Sequence, residues 1–401
     1  MNIEKPFTGN YALTHLGFRP FFLSAGAFAV IGILLWTAIY SFNWQGLNAA
    51  YPPITWHAHE MIFGYTLAVV AGFLLTAIKN WIGQQTLHQA PLLLLTAIWL
   101  AARLLPFMQG LSLQAVASVD LLFMLALLAE VAIPVLRARQ WQQAGIIAKV
   151  ALMTLANAVF YLGLLGYWPA GTQLGLYAGL YLMIALIFTM GRRVIPFFIE
   201  RGVGVSFKAN NTRWVDRSSL VLFLLFAITD LIAMTQGNQA LAGMAAALAL
   251  VQIPLHGWRL YGWYHAAIWQ KPLLWVLYVA YAWLVLGFGL KFLSWSTGLS
   301  PWLAVHAFAY GGIGMMTLGM MARVILGHTG RNVFEPPALV GKIFAILFAG
   351  ACVRILAVWA LPQWYWWWIV IAQCLWMLAF GLFIWLYAPM LIKPRVDKRY
   401  G

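Results

Sequence analysis

The chain has 401 residues, of which 64% are hydrophobic and 8% charged. A soluble domain carries about a quarter charged residues, so a water-facing globular surface, a disordered chain and a disulfide scaffold are excluded, and a polytopic membrane protein is left. The formal net charge of +15 comes from 24 Lys and Arg against 9 Asp and Glu, but no basic tract is long enough to track a phosphate backbone, so no nucleic-acid partner is expected.

Twelve apolar stretches reach the roughly 20 residues that a bilayer-crossing helix needs. They run at about 20–41, 56–78, 91–108, 112–136, 145–167, 173–197, 217–236, 238–258, 272–293, 300–326, 338–361 and 365–391. The expectation is an all-α fold: a single membrane domain, a bundle of about twelve transmembrane helices in contact with the lipid bilayer. Only Gln236, Gly237 and Asn238 separate the seventh and eighth stretches, and His256–Gln270 either extends the eighth or lies along the interface. Loop charges set the orientation. With the N-terminus inside, 21 of the 24 Lys and Arg fall on the inner side, Lys5 and Arg19 among them; Arg103 and Lys291 fall outside and Arg354 within a span. Both termini are therefore expected in the cytoplasm, the N-terminal segment being read as a tail, not a cleaved signal peptide. Trp364–Trp368 form an aromatic belt for the outer face. Cys352 and Cys374 lie in apolar runs, and no CxxCH is present, which excludes covalent c-type haem.

Ionisable groups inside a span are costly and usually have a partner or a function. Here they fall mostly in the outer halves: His57, His59 and Glu60 in the second span, Asp120 in the fourth, Asp230 in the seventh, His306 in the tenth, Arg354 in the eleventh and Gln373 in the twelfth. Structural ion pairs such as Asp120 with Arg354 are one reading of the acids and bases; they do not account for the histidines. In W-H-A-H-E-M (56–61), His57 and His59 would point about 200° apart on a helix. Either they serve different centres or the chain is not yet helical after Pro52 and Pro53. Glu60, three residues from His57, is placed to orient that ring or relay a proton. A lone intramembrane histidine is usually a hydrogen-bonded structural residue; three at matching depth on two spans point to ligation.

The tenth span adds Gly311, Gly312, Gly314 and Gly319, which permit close approach of another helix or of a flat macrocycle, helix packing being the commoner use. Met315, Met316, Met320 and Met321 are thioethers that suit Cu(I) but are ordinary core filler. His328 is roughly 33 Å beyond His306 along a continuous helix, so a ligand there would sit at the cytoplasmic surface, with His256 or His265 as companions. His15 and His88 read as interfacial.

G-F-R-P-F-F (17–22), W-H-A-H-E-M-I-F-G-Y (56–65), A-G-F-L-L-T-A-I-K-N-W (71–81) and L-G-H-T-G-R (326–331) resemble the NnrS family, from Gly17 to the twelfth span. The resemblance implies a bacterial inner-membrane protein that carries haem and copper and is linked to the nitric oxide response and to resistance against nitrosative stress. One departure is Tyr278, where a family histidine is expected after P-L-L-W. Haem-copper oxidases also have twelve spans, with haem histidines on the second and tenth, but this chain has no adjacent His-His pair and no histidine in its sixth and seventh spans.

The combined expectation is a haem b near the outer face, held by His306 and one of His57 and His59. The remaining histidine and Glu60 are then open to copper or to a proton path. Arg354 or Arg103 would pair the haem propionates, and His328 is a further metal candidate. Nitric oxide or a related small gas is the expected ligand, reached through lipid, with haem-dependent redox activity as the enzymatic reading and no electron donor indicated. The rivals are a twelve-span secondary transporter built on buried Asp, Glu and Arg, opposed by the absence of an internal repeat, and a membrane assembly factor for a reductase.

Overall fold

The computed structural model describes residues 9–401; Lys5 and the start of the expected tail lie outside them. Among the described residues there is no strand. Twelve helices are long and apolar enough to cross a membrane: α1 (Phe18–Phe42), α2 (Pro53–Ile82), α3 (Gln89–Phe107), α4 (Leu113–Arg137), α5 (Trp141–Leu164), α6 (Gly171–Gly202), α7 (Arg213–Gln236), α8 (Gln239–Trp263), α9 (Pro272–Thr297), α10 (Pro301–His328), α11 (Leu339–Ala360) and α12 (Pro362–Ile392). Each overlaps one expected stretch. Where a helix outruns it, as α6 and α8 do, the extra residues carry Arg201 and Arg259: an apolar run finds the part that can lie in hydrocarbon, and the helix continues into the interface.

The soft boundary after the seventh span is a tight hairpin. Gly237 ends α7 in the left-handed region (φ 64°), and the Asn238 side chain accepts a hydrogen bond from Leu241 N at 3.1 Å to cap α8. The helix continues through His256 to Trp263 and gives way to a short turn, Ala266–Gln270, capped by His265, which accepts from Ala267 N at 3.2 Å.

The helices group into two compact units. The first comprises the chain up to Gly179, Met321–Val333 and Trp376–Gly401; the second comprises Leu180–Met320 and Phe334–Leu375. Helix α10 is the least apolar of the twelve and the most enclosed, with 83% of its central window buried, so its polarity meets protein, not lipid. In the second unit a Cβ at Gly311 would lie 2.5 Å from the Trp283 ring and one at Gly312 would strike Leu284, both on α9. The glycines serve close helix packing. Met315, Met316 and Met321 are buried, as core filler is.

Three helices contain a wide turn of the π type, at Glu60–Thr66 in α2, Ala307–Gly314 in α10 and Val353–Ala357 in α11. Such turns are rare and concentrate at functional sites. These follow His59, follow His306 and contain Arg354.

Candidate functional site

In the first unit, α2 and α4 begin at the same end of the bundle at which α3 and α5 finish, and the polar residues near those ends meet. Arg103 lies between two carboxylates. Its Nη1 is 2.9 Å from Glu60 Oε2, and its Nη2 donates to Asp120 Oδ1. His59 Nδ1 is 3.1 Å from Glu60 Oε1, and its Nε2 is 2.9 Å from Asn157 Oδ1 and 3.3 Å from Asp120 Oδ2. Asn157 Nδ2 donates to Asp120 Oδ2 at 2.7 Å, which turns the amide oxygen toward His59. Both ring nitrogens of His59 therefore face acceptors, and both carry a proton. Tyr161 closes the set with a bond from its hydroxyl to Asp120 Oδ2 at 3.2 Å. The result is two cations against two anions, all fully buried.

Gly64, within the first wide turn, makes room for this ion pair. A Cβ there would fall 2.7 Å from Arg103 Nη1 and 2.8 Å from Glu60 Oε2. The glycine carbonyl also accepts from Trp99 Nε1 at 3.1 Å.

This geometry corrects several sequence expectations. Asp120 pairs with Arg103, not Arg354. Glu60 orients His59 instead of His57, because a wide turn starts at Glu60 and keeps two consecutive residues facing one interior. Arg103 is held by two carboxylates, and both ring nitrogens of His59 face oxygens. The chain is already helical at Pro53, so His57 points away from His59: its ring stacks on Trp36 of α1 at 4.3 Å and 7°.

In the second unit, His306 is half-buried at the start of α10. Its Nδ1 lies 2.8 Å from Trp302 O, an atom that can only accept, so the proton is on Nδ1 and the lone pair on Nε2. Arg354 Nη2 donates to that Nε2 at 3.0 Å. Four residues on, Tyr310 donates its hydroxyl to Ala372 O at 2.9 Å. Asp230, read from the sequence as a buried acid, is neutralised by Lys291 at 2.7 Å and accepts from the Tyr181 hydroxyl.

The other histidines are accounted for individually. His328 packs its ring on Phe18 at 5.5 Å, while its backbone oxygen accepts from Arg395 Nη1 at 2.8 Å. His256 is fully buried and bonded to Tyr281. Tyr278 donates to Leu260 O at 3.0 Å, a structural bond at the position where the family resemblance led us to expect histidine. Among the described residues no three His, Cys, Asp or Glu side chains form a group that could hold a metal ion.

One residue treated in the sequence as a loop charge has a different use. Arg19 has no exposed surface. It donates to Leu391 O at 2.7 Å, to Lys393 O at 2.9 Å and, through Nε, to Gly401 O at 2.9 Å. The last carbonyls of a helix have no partner of their own, and a cation suits that end of its dipole. Arg19 thus fastens the segment after α12 onto the first unit, where Tyr400 stacks on a buried His15 at 4.1 Å.

The NnrS protein family model matches residues 12–395 of this chain. The chain belongs to the NnrS family. No curated protein shows a match to it. Within this NnrS chain, the motif stretches have separate duties: Arg19 of G-F-R-P holds the C-terminal segment, W-H-A-H-E-M-I-F-G-Y supplies His59, Glu60 and Gly64 of the buried network, and Thr329 of L-G-H-T-G-R accepts from Val396 N at 3.2 Å through its backbone oxygen. Asn157 and Tyr161 were missed in the sequence, although an amide in an apolar span is itself a signal.

Proposed function

We propose that this NnrS-family membrane protein carries a b-type haem and acts on nitric oxide in the response to nitrosative stress, in a bacterial inner membrane with both termini cytoplasmic. The orientation rests on the loop charges. The observation that supports the haem most directly is the tautomer of His306. A ligating histidine typically gives its second N–H to a carbonyl, which fixes the ring and leaves the other nitrogen to the metal, and the Nδ1–H to Trp302 O bond at 2.8 Å has that form.

The residues fit haem at this place. His306 would hold the iron through Nε2. Arg354, now donating to that nitrogen, is a guanidinium suited to a propionate once the nitrogen is engaged. His59 of W-H-A-H-E-M is committed to its own network. Bound haem would supply a site for a diatomic gas and an exchangeable electron. The protein residues would orient the porphyrin and pair its carboxylates. Copper has no comparable donor set, since no three His, Cys, Asp or Glu side chains group as a metal site among the described residues, and no role is derived for it.

The test is an optical spectrum with metal analysis on one purified preparation. A Soret band with one iron-porphyrin signature that responds to nitric oxide is the expected result. A colourless protein with substrate-dependent proton uptake would instead establish a transporter, and a colourless protein needed only for a partner reductase would establish an assembly factor.

A further inference from the structure

The second unit contains another buried polar cluster, apart from His306. Gln252, His256 and Arg259 lie on one stripe of α8, spaced i, i+4 and i+7, with Asp216 and Ser219 from α7 and Tyr281 from α9 bonded to it. Gln252 and His256 have no exposed surface, and Arg259 is 4% exposed. Arg259 Nη2 donates to Asp216 Oδ1 at 2.8 Å and to Ser219 Oγ at 2.9 Å, and Nη1 donates to the Tyr281 oxygen at 2.6 Å. A guanidinium only donates, so the Tyr281 oxygen accepts from it. The tyrosine proton is then directed to His256 Nδ1, 2.6 Å away.

That chain of donors fixes the tautomer of His256: Nδ1 accepts, and the proton of the neutral ring is on Nε2. Phe188 stacks on the ring at 4.1 Å and Phe288 lies parallel to it at 5.9 Å. The Nε2–H has no protein partner, and neither the oxygen nor the nitrogen of the Gln252 amide has one. Buried polar atoms are almost always satisfied, by protein or by ordered water. Three unmatched atoms one helical turn apart, two on an amide and one on an imidazole, are a set that internal water commonly completes.

We propose that Gln252 and His256 form a second ligand site, for a small uncharged oxygen-bearing molecule, with water as its ordinary occupant. The N–H groups of His256 and Gln252 face an acceptor oxygen, and the Gln252 carbonyl takes a hydroxyl proton. The site lies at the buried end of a hydrogen-bonded line that starts at the partly exposed Asp216. It is not a metal site: Nε2 carries a proton, while Nδ1 accepts from Tyr281 with the Arg259 cation 3.3 Å away. The inference is independent of the haem reading.

The tautomer is read by ¹⁵N NMR of histidine-labelled full-length protein, with His256→Gln assigning the signal. The expected result is a protonated Nε2 in the native chain and mixed tautomers in Tyr281→Phe; a protonated Nδ1 or a metal-shifted signal in the native chain overturns the proposal. The occupant is read by thermal melting of Gln252→Leu, near in volume. If the amide holds a ligand, the melting temperature falls by about 2–4 °C. An unchanged or raised value means that the amide was idle and overturns the site. A density map at high resolution separates the occupants: a single-atom peak bonded to His256 Nε2 or the Gln252 amide is water, an elongated one a larger hydroxyl or carbonyl compound. Protein contacts to these atoms with no such peak would refute the site.

Discussion

His59 and His306 both open helices with wide turns, and both are bonded through each ring nitrogen, yet their surroundings differ in kind. His59 belongs to a closed set in which two cations meet two anions, with an amide and a phenol completing the contacts. His306 is half-buried, keeps a lone pair on Nε2, and meets one guanidinium that could turn to another acceptor. A buried ion-pair set resists the loss of any member, because a partner removed leaves an uncompensated charge. An open pair can exchange partners at little cost. Sequence position alone gives both histidines the same reading, whereas their hydrogen bonds differ: oxygens face both ring nitrogens of His59, and a carbonyl and a guanidinium face those of His306.

The contrast has consequences that can be measured. Arg103→Met leaves Glu60 and Asp120 facing each other without their guanidinium. It should cost about 3–5 kcal/mol in thermal unfolding, and a loss below about 1 kcal/mol would show that the set is hydrated and open. His15 gives a scale for burial beside a like charge. Outside the spans, burial first and then the Arg19 charge hold it down to about 4 from an ordinary 6.5. Because the folded form binds its proton less readily than the unfolded chain, stability is constant above pH 6.5 and falls as pH drops from about 6.5 to 4. The loss should be about 2–3 kcal/mol, absent in His15→Gln; an identical pH profile for that variant would contradict the assignment. Gly64→Ala forces a methyl group against the ion pair and should cost about 1–3 kcal/mol, with Gly72→Ala, which meets Phe22 instead, as the packing control. Arg354→Met, in the open pair, should change stability by less than about 1 kcal/mol, since His306 then keeps its bond to Trp302 O; a loss as large as that of Arg103→Met would erase the distinction.

Much of the fold is legible because a bilayer demands a long apolar run and permits little else. Each of the twelve helices answers to such a run, and the Q-G-N hairpin at 236–238 follows from its cap residues. Pairings are less legible. Asp120 has two basic candidates in the sequence, Arg103 and Arg354, and only helix adjacency decides between them. Arg19 is misread because a loop-charge count treats every basic residue near a span as an anchor, while an arginine that directly opens a helix can reach the carbonyls of another. The wide turns leave no pattern beyond nearby glycines such as Gly64 and Gly311. The stripe Gln252, His256 and Arg259 stands at helical spacing, but the sequence offers His256 only as a companion for His328 at the cytoplasmic surface, with the stretch from it to Gln270 either helix or interface. Most ionisable residues of the clusters are legible, whereas Asn157, Tyr161 and Gln252 are not, and the partners of all of them are decided by helix packing.

On the proposed function, the intramembrane histidines divide between a closed network at His59 and a ligand position at His306. The measurement that reaches it most directly is haem content per folded protein, taken from the Soret absorbance of the monodisperse fraction, in His306→Ala and His59→Gln side by side. His306→Ala is expected to lose the native haem spectrum with little change in melting temperature, while His59→Gln melts earlier but keeps that spectrum in whatever remains folded. Native haem retained in His306→Ala, or lost only in His59→Gln, would contradict it.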